Sequence, residues 1–409
     1  MYIAPAWKGI LDMKILHLSD LHIGRSLGDF DLLEDQKYIF QQIVDLVAAN
    51  QVEAVLLAGD IYDRPVPSEG AVRLFDWFLR QLAERACAIY IISGNHDSDE
   101  RLNFGSSFLA AQGIHIAAKY EGELYHHCLD NGHEKVNFYL LPFVKASQVK
   151  HFFPEAEIES YHEAVKTILQ QAEIDTSQCN VLLAHQFVAG KHNPPALAGS
   201  EGPGTQMVGL VEQIGTDCFE GFDYVALGHI HQPQAMGQAN IRYAGSPLKY
   251  SLTECNSEKS AVLLEMADGQ TSLELLPLKP RRQLRHLTGK LAELLLPENV
   301  QDTDDYIYIT LTDEEPRDNA MNIVQGYYPN TVKLDYRNSH TESIKQDAAF
   351  EAVNVYSYQE LLGQFYQLVY GQDIPEEELA IMEEIGAKAG LIEEKNVGTR
   401  CKKEVEEAL

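Results

Sequence analysis

The sequence is short of positive charge. It has 32 Lys and Arg against 61 Asp and Glu, which gives a formal net charge of −29 at pH 7. Nucleic acids are bound through a local positive footprint, so this balance argues against tight nucleic-acid binding by the chain alone. It does not exclude a nucleic acid that a partner presents, because bound metal ions can supply local positive charge.

The sequence also lacks the cysteine spacing of a disulfide framework or a zinc site. No two cysteines stand in a Cys-x-x-Cys pair, and such pairs are the usual sign of either arrangement. The cysteines are Cys87, Cys128, Cys179, Cys218, Cys255 and Cys401. We therefore predict reduced, mostly structural thiols in a cytoplasmic protein.

Long apolar runs are absent as well. No run approaches the roughly 20 residues that a membrane-spanning helix needs, so we expect no membrane association. Residues 1–12 lack the basic and apolar regions of a signal peptide. Because Met13 directly precedes a strand-like run, we predict that residues 1–12 are an upstream extension.

The chain is long enough for more than one hydrophobic core. Its first part alternates short β-branched runs with amphipathic helical stretches, which predicts a layered α/β domain over residues 13–280. The predicted strands cover residues 13–20, 53–60, 88–94, 180–185 and 223–229. The predicted helices cover residues 34–49 and 68–84.

Two prolines and a basic cluster near residue 280 mark a domain boundary. Beyond it, two strand-like runs flank a short helical stretch, which predicts a small α+β domain over residues 281–345. A linker is predicted over 346–356, followed by amphipathic helices within 357–409. Their apolar stripe favours a partner surface, and packing on the chain's own domains is the alternative.

Five short motifs place potential metal ligands at the ends of the predicted strands. They are Asp20-Leu-His22, Gly59-Asp60-Ile-Tyr-Asp63, Gly94-Asn95-His96-Asp97, His185, and Gly228-His229-Ile-His231. In α/β sheets the ligand site lies beyond the carboxyl ends of the strands. Any one motif fits a structural role as well as a functional one, but the five together favour a shared site.

The residue types in these motifs suit a pair of divalent metal ions. Carboxylates combined with imidazoles bind Mn²⁺, Fe²⁺, Zn²⁺ or Mg²⁺. Asp60 follows a strand end and is expected to bridge two ions about 3.5–4 Å apart. His96 lies next to Asn95 and is expected to protonate the leaving oxygen. Glycines 59, 94 and 228 are expected where the backbone must approach the metal ions closely.

The order of these motifs resembles the signature of the calcineurin-like metallophosphoesterases. Within that superfamily the chain is similar to the SbcD family, the nuclease subunits of bacterial SbcCD complexes and relatives of the double-strand-break repair nucleases. The similarity is carried by KILHLSDLHIGR (14–25), GDIYDR (59–64), GNHD (94–97), LGHIHQP (227–233) and YAGSPLKYS (243–251).

The resemblance implies a four-layer α/β/β/α sandwich with a small α+β capping domain that binds DNA, followed by C-terminal helices. It also implies two divalent ions, with Mn²⁺ expected and Mg²⁺ as the alternative. One ion would be held by Asp20, His22, Asp60 and His231. The other would be held by Asn95, His185, His229 and the shared Asp60, with His96 as the catalytic residue.

Three charged residues beside the motifs are candidates for contact with substrate phosphate: Arg25, Arg64 and Asp63. Asp63 stands where eukaryotic and archaeal relatives tend to have histidine. The sequence leaves open whether Asp63 orients a metal ligand or contacts DNA.

The resemblance further implies partners and a cellular role. We expect a homodimer within a heterotetramer of two SbcC ATPase and two SbcD subunits, associated with the nucleoid. The helices within residues 357–409 would dock on the base of the SbcC coiled coil. The implied activity is ATP-dependent 3'–5' exonuclease action on double strands and endonuclease opening of hairpins, in DNA repair, replication and recombination.

Two other functions compete with this interpretation. The same metal site could serve a phosphatase of phosphomonoesters or cyclic nucleotides, because fold and metals do not fix the substrate. The fold could also be a non-catalytic scaffold, which the complete ligand set and His96 disfavour. The long extension after residue 280 favours the nuclease, because a small substrate does not require it.

Overall fold

The computed structural model describes residues 12–338 except 86, 191–193, 200–212 and 268–269, and, beyond them, 362–363, 366, 373–375 and 378–382. The chain divides into two units, and the fold described below belongs to the first, formed by residues 1–312 and 316–335. Residues 1–11, the predicted linker and nearly all of the predicted C-terminal helices lie outside the described residues. In the described part, no helix combines the length and the apolar character needed to cross a membrane.

Two six-stranded sheets form the centre of the described part of the chain up to residue 280. The first sheet has the strand order Gln270–Leu278, Lys259–Ala267, Met13–Leu18, Ala54–Ala58, Ala88–Ile92, Ile114–Ala117. The second has the order Gln234–Met236, Gln238–Tyr243, Tyr224–Gly228, Cys179–His185, Lys135–Leu141, Tyr125–Asp130. Each sheet has four adjacent parallel strands, so those strands present their carboxyl ends at one edge.

The two sheets pack face to face through one layer of apolar side chains. Ile15 and Leu56 from the first sheet lie in the same buried cluster as Phe138, Leu183 and Ala226 from the second. The parallel strands are buried on both faces, which explains why their sequences are continuous apolar runs rather than alternating ones.

Helices cover the outer face of each sheet. Helix α1 (Leu33–Asn50) and helix α2 (Glu69–Ala83) share a core cluster with the first sheet. Ser68 caps α2, since its hydroxyl accepts a hydrogen bond from the backbone N–H of Ala71 at 3.2 Å. Helices Ala146–Phe152 and Tyr161–Gln171 pack on the second sheet. The predicted four-layer α/β/β/α sandwich is confirmed.

A three-stranded sheet follows residue 280. Its strands are Leu284–Gly289, Tyr306–Leu311 and Thr331–Tyr336, with short helices Leu291–Leu294 and Ala320–Gln325. Arg282 binds the carboxylate of the buried Asp35 on α1 with two hydrogen bonds, of 3.0 and 2.6 Å, and the Tyr306 hydroxyl donates a third of 2.9 Å. The capping segment is thus attached to the start of α1. The domain boundary at residue 281 stays a prediction.

Two buried histidines lie away from the predicted metal motifs. Each has a ring nitrogen 2.9 Å from a tyrosine hydroxyl, His17 with Tyr224 and His115 with Tyr125. Burial lowers the pKa of His17 to about 3 and that of His115 to about 4. In the unfolded chain the histidine pKa is about 6.5, so on acidification the unfolded state takes up protons first. Stability therefore falls as the pH drops from 6.5 towards 4.

We predict that His115→Phe reduces this acid sensitivity. Phenylalanine keeps a flat ring against Tyr90, whose ring centroid lies 5.1 Å from that of His115, and it cannot take up a proton. Urea unfolding at pH 7 and pH 5 should show a smaller fall in midpoint for the variant than for the wild type. His133→Phe, at an exposed position, should keep the wild-type fall. Equal falls in wild type and His115→Phe would contradict the prediction.

Candidate metal centre

The loops after two neighbouring strands of the first sheet run side by side. The backbone N–H of Asp20 donates to the Gly59 carbonyl at 3.1 Å, and that of His22 donates to the Asp60 carbonyl at 2.9 Å. These loops follow parallel strands, so hydrogen bonding continues past the sheet edge. The Asp20, His22 and Asp60 side chains are buried there together.

The second sheet contributes His185 to the same place. Its Nδ1 lies 2.8 Å from the Ala58 carbonyl, which can only accept, so Nδ1 carries a proton. Nε2 then faces the Asp60 carboxylate, with Oδ2 at 3.4 Å. Burial opposes protonation of this nitrogen, but the Asp60 and Asp20 charges raise the pKa of His185 to about 9. A divalent ion beside Asp60 would compete with that proton.

His22 and His231 point their rings at each other. Their Nε2 atoms are 3.0 Å apart. Two imidazole nitrogens that bind one ion at about 2.1 Å each lie about 3.0–3.4 Å apart, so this separation fits a shared ion. Burial lowers the pKa of both histidines well below the ordinary value, which leaves the neutral form that binds metals. Asp20 lies beside them, with Oδ1 3.8 Å from His231 Nε2.

Asp60 lies between two of the predicted histidine ligands, His22 and His185. Its Oδ2 is 3.5 Å from His22 Nε2 and 3.4 Å from His185 Nε2. Its Oδ1 accepts a hydrogen bond of 2.9 Å from the His96 backbone N–H. Among the described residues, three groups of donors are compact enough for an ion: Asp20, His22 and His231; Asp20, Asp60 and His185; and His22, Asp63 and His96. A carboxylate shared between neighbouring ions would occupy the position of Asp60.

Asn95 and His229 complete the cluster on its exposed side. Asn95 Oδ1 lies 2.9 Å from His229 Nδ1 and 3.3 Å from His185 Nε2. The His229 backbone N–H donates to Asp20 Oδ1 at 3.0 Å. This hydrogen bond joins the loop of residues 228–231 to the loop of residues 20–22. The structure thus brings all seven predicted ligand side chains together. Their role as ligands stays a prediction.

His96 lies at the rim of the cluster, partly exposed. Its Nδ1 donates to the Asp63 backbone carbonyl at 3.0 Å, which leaves Nε2 as the nitrogen for proton transfer. The ring stands edge to face against that of His22, with centroids 4.8 Å apart. His96 can therefore reach a substrate bound at the centre from the solvent side.

The three candidate phosphate contacts differ in how they are held. Asp63 Oδ1 accepts from Arg25 Nη1 at 2.9 Å and lies 3.6 Å from His22 Nδ1, a buried nitrogen with no hydrogen-bond partner in the described part of the chain. The Arg25 guanidinium lies over the Tyr250 ring, 5.5 Å from its centroid. The Arg64 side chain is 79% exposed and only loosely paired with Asp63, at 3.5 Å. Arg64 has the greatest freedom to move towards a substrate.

The backbone of the centre is strained. Four of the predicted ligands have positive φ, namely Asp20 (52°), His22 (42°), Asp60 (50°) and His229 (97°). Such conformations cost about 1–3 kcal/mol each and persist only where the surroundings hold them. A side chain on Gly59 would collide with the His185 ring, at 2.6 Å from Cγ. The close approach at this glycine is to a neighbouring histidine. An approach of its backbone to metal ions stays a prediction.

Two residues that shape the centre, Asp97 and Gln36, were given no role from the sequence. Asp97 accepts hydrogen bonds from the backbone of Gly94, Ile61 and Tyr62 at 2.9–3.0 Å. It therefore joins the loop of residues 94–97 to the loop that follows Gly59. Its place in the GNHD motif was the available signal. Gln36 donates a hydrogen bond to the backbone carbonyl of His22. The only sequence feature that could have indicated this role is the position of a polar residue on the apolar face of a predicted helix.

The two facing sheets and the convergent carboxylates and imidazoles define a calcineurin-like phosphoesterase, and the family model of that description matches residues 13–233. A second family model, described as the Type 5 capsule protein repressor C-terminal domain, matches residues 280–370. The SbcD subunit of the nuclease SbcCD from Staphylococcus epidermidis is 34% identical over 349 residues, which cover 82% of this chain and 90% of that protein. The chain belongs to the SbcD family of nuclease subunits.

Family membership confirms the predicted class of enzyme, a metal-dependent phosphodiester hydrolase. Among solved structures, a dimetal phosphatase from Danio rerio aligns with 65% of this chain and 96% of its own length. Its TM-score of 0.39 and identity of 10% are too low to add an argument.

Proposed function

We propose that this chain is the DNA-cutting subunit of a complex with an SbcC ATPase. The observation that carries the proposal is the position of Asp60, whose Oδ2 lies 3.5 Å from His22 Nε2 and 3.4 Å from His185 Nε2, near one histidine of each proposed ligand set. The Staphylococcus epidermidis relative, named as a subunit of the nuclease SbcCD, supports the choice of substrate and partner. The proposed activity is ATP-dependent 3'–5' exonuclease and hairpin endonuclease action in DNA repair, replication and recombination.

The proposed ligand sets are those that the family resemblance implies, and the proximity of Asp20, His22 and His231, and of Asp60 and His185, supports them. One ion would be held by Asp20, His22, Asp60 and His231, and the other by Asn95, His185, His229 and Asp60. Oxygen and imidazole donors together suit Mn²⁺, with Mg²⁺ as the alternative. When bound, the ions supply Lewis acidity and lower the pKa of a coordinated water.

The chain's own residues would provide the proton for the leaving group. The Asp63 carbonyl fixes the His96 ring by accepting from Nδ1. The backbone N–H of His96 is tied to Asp60, so the ring keeps its place relative to the bridging carboxylate. We propose that His96 Nε2 carries the proton that passes to the leaving oxygen as the phosphodiester bond breaks.

We propose that Asp63 orients His22 and Arg25 rather than contacting phosphate. Its carboxylate is negative, like the substrate, and it already pairs with Arg25 and faces His22 Nδ1. Histidine ligands commonly donate their second nitrogen to such a carboxylate. Arg25 and Arg64 remain the proposed phosphate contacts.

We propose a homodimer, whose two copies join two SbcC subunits. An apolar surface supports it: Phe104 and Phe108 are 87% and 83% exposed, next to and within helix Ser106–Ala110. Neighbouring exposed aromatic rings commonly mark a contact with another protein. The docking of the helices within 357–409 on SbcC stays a prediction, since nearly all of them lie outside the described residues.

The nuclease assay tests the proposal. Purified chain with SbcC, ATP and Mn²⁺ should degrade linear duplex DNA, and removal of metal by EDTA should abolish degradation. Cleavage of p-nitrophenyl phosphate by the chain alone serves as the comparison for a phosphomonoesterase. Rapid hydrolysis of that monoester, with no DNA degradation in the presence of SbcC, would favour the phosphomonoesterase over the nuclease.

A further inference from the structure

A buried glutamine on α1 holds the loop that carries His22. Gln36 has no exposed surface. Its Oε1 accepts a hydrogen bond of 3.0 Å from the Gly24 backbone N–H, which fixes the amide orientation. Its Nε2 lies 2.8 Å from the His22 carbonyl and 3.2 Å from that of Leu21. One side chain thus binds the backbone on both sides of a strained residue.

A buried lysine holds the loop that carries His231. Lys259 Nζ donates to the His231 carbonyl at 2.9 Å and to the Ser246 hydroxyl at 2.9 Å. Its charge is balanced by the fully buried Glu254 carboxylate, which is within hydrogen-bonding distance. A buried ion pair is costly to desolvate, so its presence here calls for a role other than stability alone.

Tyr250 connects these two supports. Its hydroxyl donates to the Leu21 carbonyl at 2.6 Å and lies 3.3 Å from Gln36 Nε2. Its backbone N–H donates to Glu254 at 3.2 Å. The Tyr250 ring meets the rings of both His22 and His231, with centroids 5.7 and 6.0 Å apart. Gln36, Tyr250, Glu254 and Lys259 therefore form one network, named here the clamp.

The clamp contacts the residues assigned to one of the two ions. Its contacts reach the backbone of His22 and His231, the pair whose Nε2 atoms converge. The residues assigned to the other ion are supported differently, since His185 is oriented by the Ala58 carbonyl. Outer contacts that fix a ligand commonly change metal affinity by about 10–100-fold.

We propose that the clamp residues are positioning residues for one ion of the pair, the ion assigned to His22 and His231. The inference rests on the proposed two-ion function and names which ion depends on the clamp. Without the clamp, the strained His22 backbone relaxes and the two imidazoles no longer converge. His185, assigned to the other ion, keeps its support from the Ala58 carbonyl.

Gln36→Leu tests the proposal, because leucine fills the space of glutamine without its hydrogen bonds. Calorimetric titration of the metal-free chain with Mn²⁺ should show two bound ions for the wild type. The variant should bind one ion with unchanged affinity and the other at least about 10-fold more weakly. Electron paramagnetic resonance should show a coupled Mn²⁺ pair in the wild type and an isolated ion in the variant at limiting metal.

A double variant tests the part of the clamp formed by Lys259 and Glu254. Lys259→Met alone would leave Glu254 buried without its counter-charge, so it is combined with Glu254→Gln. The double variant should show the same selective loss of one ion. Two ions bound with wild-type affinity in both Gln36→Leu and the double variant would overturn the proposal.

Asn180→Ala is the matched control. Asn180 is also a fully buried amide that bonds to backbone carbonyls, those of Asp175 and Gln178 at 2.9 Å, but it lies at the opposite end of the strand that leads to His185. It should lower the melting temperature and leave both ions bound. Loss of an ion in Asn180→Ala would show that general destabilisation explains the result. Failure of the wild type to bind two ions would instead contradict the proposed function.

Discussion

His96→Ser is expected to lower DNA cleavage by about 10²–10⁴-fold while both metal ions remain bound. The variant removes the nitrogen that would protonate the leaving oxygen. It keeps the backbone N–H that donates to Asp60 at 2.9 Å, so the bridging carboxylate should keep its place. Cleavage of labelled duplex DNA with SbcC gives the rate, and calorimetric titration with Mn²⁺ gives the number of ions.

A second substrate separates proton donation from other roles of His96. Bis(p-nitrophenyl) phosphate has a leaving group that departs without protonation, so the loss of rate in His96→Ser should be much smaller on this substrate than on DNA. His133→Ser, at an exposed position, should leave both rates unchanged. An equal loss on both substrates, or a lost metal ion, would contradict the role of His96 as the acid.

Gly94→Ala is expected to reduce cleavage by at least about 10²-fold and to weaken metal binding. A Cβ at this position would collide with the backbone N and the Oδ1 of Asp60 and lie 2.7 Å from its Cγ. A displacement of about 1 Å near the reacting groups commonly costs this much activity. The Mn²⁺ titration and the DNA assay measure the two effects.

The control for Gly94→Ala is Gly113→Ala. Gly113 has a φ of +79°, and within the described residues, its chain neighbours aside, no atom lies within 4 Å of the place that a Cβ would occupy, so alanine there strains the backbone without touching the centre. This variant should melt at a slightly lower temperature and cleave DNA at the wild-type rate. Wild-type metal binding and cleavage in Gly94→Ala would show that Asp60 need not hold its observed position.

Individual helices and strands could be predicted from the sequence because each depends on the pattern of residues that are neighbours in the chain. Apolar spacing predicted a helix over 34–49, and the structure has Leu33–Asn50. Continuous apolar runs predicted the parallel strands, since strands buried on both faces need no polar side. Each run ended in a polar motif, and parallel strands bring their ends to one edge. That is why one sequence could predict a common site for five separate motifs.

Other features depend on contacts between distant parts of the chain. The hydrogen bond that sets the tautomer of His185 joins residues 127 apart, and the one between Tyr306 and Asp35 joins residues 271 apart. No local pattern records how two sheets are aligned across their shared core. The orientation of Asp63 towards His22 and Arg25 was open for the same reason.

The sequence by itself determined the class of chemistry, because metal ligands must be particular residue types and those types recur at the strand ends. It also predicted five of the twelve strands in the two large sheets and the helices α1 and α2, and it carried the resemblance to the SbcD family. The tertiary structure alone decided that Gln36 and Lys259 bond to the backbone of His22 and His231. The physical reason is that strained, buried polar groups are held by partners that only folding brings within hydrogen-bonding distance.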